Sequence, residues 1–154
     1  MSFVGTLPAL VTPFSNGEVD EDALRAIVER CIEGGVDGLV PCGTTGETPT
    51  LSEAEHARVV RIVVEQTNRR VPVVAGAGAF STSHTIHLAR MCRQLGVDGL
   101  LLVTPYYNRP TQEGLEAHFR AGATACPIPS IRDNVPARTG TDPAGETRAR
   151  LADL

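Results

Sequence analysis

Gly35-Val36-Asp37-Gly38-Leu39 recurs as Gly96-Val97-Asp98-Gly99-Leu100, sixty-one positions further along the chain. In each copy the pentapeptide ends an amphipathic stretch and opens an apolar run. Glycine suits the left-handed end of a helix, and the apolar pair then enters a strand. Five matching residues can arise by chance, but their shared place in the pattern reads as a repeated βα unit.

Working outward, short apolar runs alternate with helix-length stretches. Strands are expected at Leu7–Val11, Gly38–Pro41, Val71–Ala75 and Gly99–Val103, and helices at about Asp20–Glu33, Ser52–Thr67, Ser83–Leu95 and Thr111–Ala123. Leu24, Ile27, Val28, Cys31 and Ile32 line one face of the first helix. Ser52 with Glu55 forms the capping-box signature of the second. Near-continuous apolar strands between helices imply an α/β fold with a parallel sheet. Two βα pairs per repeat favour a (β/α)₈ barrel over a doubly wound sheet.

The 154 residues fit one domain, and 42% hydrophobic with 21% charged residues supports a core. A net charge of −4, with no arginine cluster, argues against a nucleic-acid surface. Cys31, Cys42, Cys92 and Cys126 have neither metal-ligand nor disulfide spacing and read as thiols of a reducing compartment. With no secretory pattern and no apolar run of spanning length, a soluble cytoplasmic chain is expected. All fourteen basic residues are arginine, so the N-terminus is the only primary amine. A guanidinium cannot replace an amine in a Schiff base.

Three loops carry chemistry. Gly43-Thr44-Thr45-Gly46-Glu47 follows a strand and offers converging N–H groups and two hydroxyls to a small anion; a plain glycine-rich turn is the alternative. Thr104-Pro105-Tyr106-Tyr107-Asn108 holds both tyrosines, suited to proton transfer or to packing at a rim. Asn134-Val135-Pro136-Ala137-Arg138-Thr139-Gly140 presents a guanidinium that can fork onto a carboxylate or pair with a neighbouring acid. His84 and His87 share a helical face without a third ligand, and His56 and His118 also fall on helices.

These motifs, with Ala9-Leu10-Val11-Thr12-Pro13-Phe14 and Val73-Val74-Ala75-Gly76, resemble in order and spacing the N-terminal half of the dihydrodipicolinate synthase family, pyruvate-dependent class I aldolases related to N-acetylneuraminate lyase. The resemblance implies a (β/α)₈ TIM barrel, of which residues 1–154 are the N-terminal part of one domain with about four to five βα units. It implies condensation of pyruvate with aspartate semialdehyde in lysine biosynthesis through an imine on a barrel lysine, without metal or cofactor, in a homo-oligomeric dimer of dimers. Thr45 then matches the residue gripping the pyruvate carboxylate, and Thr44 a relay hydroxyl. Tyr107 matches the relay tyrosine that enters the neighbouring protomer's site, and Arg138 the receiver of the semialdehyde carboxylate. His56 and Tyr106 match two lysine-feedback positions, whereas Phe80 and His84 depart from the usual residues there.

Two departures touch the chemistry. Asp133 stands where the family has the central relay tyrosine, with a pKa about six units below a phenol's. The lysine is expected on the sixth strand, and the chain stops at Leu154 before it. The segment Pro127-Ile128-Pro129-Ser130-Ile131-Arg132 also suits a central strand poorly. Ser130, Arg132 and Asp133 are each one T-to-G codon change from the expected Ile, Leu and Tyr; sequence error or gene decay is a hypothesis that resequencing tests.

The functional readings are therefore a synthase-type enzyme inactive as this chain alone, a non-catalytic or decayed half-barrel, and a lyase of the same superfamily. A metal-dependent aldolase is disfavoured, because its histidines belong at strand ends. An incomplete barrel is expected to expose sheet edges and an apolar interior.

Overall fold

A computed structural model describes residues 3–152; Met1, with the chain's only primary amine, and Leu154 lie outside the described residues. Each of the four long helices starts at a residue whose side chain takes up an orphan N–H. Asp20 accepts from the Ala23 N–H at 3.0 Å and opens α1 (Glu21–Glu33). Ser52 and Glu55 form the expected capping box of α2 (Glu53–Thr67). Ser81 opens α3 (Thr82–Gln94), and Thr111 opens α4 (Gln112–Ala125).

Between helices the chain returns as parallel extended segments. Their order is residues 8–10, residues 38–41, β3 (Val74–Gly76), β4 (Gly99–Val103) and β5 (Ser130–Asp133). The expected strands Leu7–Val11 and Gly38–Pro41 do not extend into ladders. They contribute single bridges, Ala9 to Val40 and Leu39 to Val73, held by Leu10 N–H to Val40 O at 2.9 Å and Val74 N–H to Leu39 O at 2.9 Å. Pro8 and Pro41 lack the N–H groups that would lengthen them. An antiparallel hairpin, β1 (Phe14–Ser15) with β2 (Glu18–Val19), precedes α1. Asn16 and Gly17 turn it with φ of 53° and 84°, the left-handed pair that an Asn-Gly hairpin turn uses.

Residues 127–132, ill suited to a central strand, lead into an edge strand. Ser130–Asp133 does form a strand, parallel to β4 in the register Leu100–Ser130 through Val103–Asp133. Pro127 and Pro129 fall before it, and β5 is the edge of the three-stranded sheet, where a missing donor is tolerated. Arg132 donates from Nη1 to the carbonyl of Leu151 in α6 (Gly145–Ala152), and partial burial lowers its guanidinium pKa.

Leu24, Val28, Val59, Val63, Leu88 and Phe119 pack from the helices onto Leu39, Val73, Ala75, Leu100 and Leu102 of the sheet. The other sheet face has no second layer among the described residues, and Ile131 on it is 38% exposed. Among the described residues this is a partial α/β unit, a parallel sheet with helices on one face and no closure into a barrel.

Candidate active site

A cleft of about 210 Å³ opens at the C-terminal ends of the parallel segments. Cys42, Leu101, Val103 and Val135 supply its apolar wall, and Thr44, Tyr106, Asp133 and Arg138 its polar groups.

The 3₁₀ turn Thr44–Gly46 carries Thr44 into this space. Its entry is pinned by the Thr48 hydroxyl, which donates to the carbonyls of Cys42 and Gly43, and Gly46 N–H closes onto Gly43 O at 3.0 Å. The Thr12 hydroxyl, just past the first extended segment, donates to Gly46 O at 2.8 Å. Gly76 and Gly78 let neighbouring backbone close in, since a Cβ would overlap Cys42 O at the first and Val103 N at the second.

Asp133 ends β5. Its side chain faces the cleft because strand residues alternate: Ser130 and Arg132 face α4, whereas Asp133 shares the face of its partner Val103. Its carbonyl accepts from both the N–H of Thr104 at 2.9 Å and the hydroxyl of Thr104 at 3.2 Å. Arg138 follows on the single turn α5 (Pro136–Thr139), which Gly140 ends at φ 70°. Neither Asp133 nor Arg138 enters an ion pair among the described residues.

The structure thus brings together Thr44, Asp133 and Arg138 from the sequence-derived set. It does not bring Thr45 or Tyr107 to the cleft: Thr45 is exposed outside its lining, and Tyr107 is 92% exposed at φ 71°. Tyr106, assigned above to a feedback position, does line the cleft. Its ring stands edge-on to Phe80 at 5.5 Å, and burial pushes its phenol pKa up. The glycines at 76 and 78 and the Thr48 anchor were not singled out, although the small-residue run Gly76-Ala77-Gly78 after a strand was a readable signal of close approach.

The histidines sit elsewhere. His56 is buried on α2 with Nε2 at 3.9 Å from Cys92 Sγ, and desolvation lowers its pKa. His87 pairs with Glu53 at 2.8 Å on the surface. No helix among the described residues is long and apolar enough to cross a membrane. Chemically, the cleft can receive a carboxylate and hold protons on Thr44 and Tyr106. The 154 residues supply it no lysine.

The profile of the Dihydrodipicolinate synthetase family matches residues 2–154. The chain is 58% identical over 151 residues to the 4-hydroxy-tetrahydrodipicolinate synthase of Nitratidesulfovibrio vulgaris, covering 98% of this chain and 52% of that protein. It is 57% identical over 150 residues to that of Geobacter sulfurreducens, covering 97% and 52%. Among solved structures, the dihydrodipicolinate synthase of Acinetobacter baumannii complexed with pyruvate superposes at a TM-score of 0.97 with 46% identity, covering 99% of this chain and 53% of that one. The synthase of Methylacidiphilum fumariolicum superposes at 0.95 with 48% identity, covering 97% and 50%. The chain spans about half the length of these relatives. From motif order to backbone, it belongs to the dihydrodipicolinate synthetase family.

Proposed function

We propose that these residues form the N-terminal half of a 4-hydroxy-tetrahydrodipicolinate synthase, which condenses pyruvate with aspartate semialdehyde in lysine biosynthesis. The observation that carries this is the convergence of Thr44 and Arg138 on one cleft at the strand ends, where barrel enzymes work. Arg138 receives the semialdehyde carboxylate, Thr44 relays protons, and Thr45 takes the pyruvate carboxylate once the barrel is complete. Tyr107, projecting from the chain, reaches a neighbouring protomer's site in a homo-oligomer. The nucleophile is a lysine amine outside this stretch. It adds to the pyruvate carbonyl and loses water as the imine, whose enamine attacks the aldehyde carbon. The names of the reported relatives favour the synthase over the lyase alternative.

A second reading, a half-barrel without activity of its own, is supported by Asp133 at the relay position. One experiment separates the two. The 154-residue chain is assayed alone and after co-expression with the C-terminal half of a relative that carries the lysine. The synthase reading expects no turnover alone, and with the second half both condensation and a pyruvate adduct that borohydride traps on the added segment. Continued absence of adduct and product favours the inactive half-barrel.

A further inference from the structure

On the helix side of the sheet, two guanidinium groups line one cavity of about 250 Å³. Arg132 reaches it from β5 and Arg148 from α6. Neither enters an ion pair among the described residues, and no Asp or Glu lines the cavity. Arg132 donates one hydrogen bond, to the carbonyl of Leu151, so most of its fork is unspent. Burial lowers its pKa, and no carboxylate beside it offsets that cost. A partly desolvated charge without a partner is a cost that a bound counter-ion removes.

Asn134 supplies a third group to the same cavity. Its Nδ2 donates to Asp142 Oδ1 at 2.8 Å, which fixes the amide and leaves Oδ1 buried without a hydrogen-bond partner. Two donor forks and one orphaned acceptor describe a ligand that is anionic yet still carries a hydroxyl proton. Phe119 and Leu151 add apolar wall, which strengthens charge recognition by excluding water. The cavity shares no lining residue with the strand-end cleft, so its occupant is independent of the proposed condensation.

We infer that this cavity binds inorganic phosphate: Arg132 and Arg148 donate to its oxygens, and Asn134 Oδ1 accepts from its P–O–H group. Planar forks match the edges of a tetrahedral oxyanion, and two of them match a dianion. Sulfate has the same shape and charge but no proton, and would leave Oδ1 unpaired. The dianion of methyl phosphate lacks the proton too.

The test titrates the full chain with phosphate, sulfate and methyl phosphate at constant ionic strength and about pH 8, where both phosphates are dianions. Calorimetry reads the affinities, and phosphorus NMR follows the bound phosphate. Phosphate should saturate one site and bind about tenfold or more tighter than the other two anions. Arg132→Leu, which places the residue expected of the family, and Arg148→Ala should each weaken phosphate about tenfold or more. Arg90→Ala, on the exposed surface of α3, should change nothing. No saturable phosphate binding, equal binding of sulfate or methyl phosphate, or unchanged affinity in both cavity variants overturns the assignment. The three anions are compared on the unaltered chain, so that comparison decides even where a variant fails to fold.

Discussion

Thr104 holds Asp133 by its main chain twice over, through its N–H at 2.9 Å and its hydroxyl at 3.2 Å, both onto the Asp133 carbonyl. Thr104 is 1% exposed, so these bonds form away from water at the end of β4, where the cleft begins. The edge strand is therefore anchored next to the residue that faces the cleft.

Thr104→Val keeps the shape and removes the hydroxyl. The expected loss is about 1 kcal/mol of stability. Hydrogen exchange should quicken at the β5 amides and stay unchanged in α1 and α2. Uniform acceleration across the chain would argue against a local clamp.

Gly76→Ala tests the close approach under the cleft. The added methyl overlaps the carbonyl oxygen of Cys42, a backbone atom that cannot swing aside. The substitution should cost about 4 kcal/mol or more, or prevent folding, when measured by urea denaturation. Gly145→Ala, where nothing lies within 4 Å, is the matched control and should be near neutral.

The buried imidazoles set the acid side of stability. Burial lowers the pKa of His118, and of His56, from 6.5, so the folded chain holds both neutral while the unfolded chain takes up protons below that value. Their contribution is full above pH 6.5 and is lost as pH falls through the lowered folded values. His118→Phe should therefore flatten the decline in stability below pH 6.5, read as urea midpoints across a pH series. An unchanged slope would assign the decline to other groups.

An open sheet face should show itself in solution. Val11 and Ile131 are exposed, and Ile131 lies on the sheet face opposite the one that Ser130 and Arg132 turn to α4. The 154-residue chain is expected to bind hydrophobic dye and to self-associate in sedimentation experiments. Ile131→Lys should reduce both; a monomer without dye binding would contradict this.

Helices were the most legible elements, because their limits are written locally. Asp20, Ser52, Ser81 and Thr111 cap them, and α2 and β4 match the expected ranges within a residue. The first two strands were over-read, since an apolar run does not say how many ladder bonds its neighbours complete. In residues 127–132 proline and arginine suit a central strand poorly, and the structure puts the prolines ahead of an edge strand.

By itself the sequence determined the alternation of strand and helix, the family and the loops that carry hydroxyls and guanidinium. All of these depend on residue type and short-range order. Only the tertiary structure decided that Thr44, Tyr106, Asp133 and Arg138 share one cleft while Thr45 and Tyr107 stay outside it. Which side of a strand end or turn a residue faces depends on sheet register and on backbone contacts between segments distant in the chain. Here those contacts run from Thr12 to Gly46, from Cys42 past Gly76, and from Thr104 to Asp133.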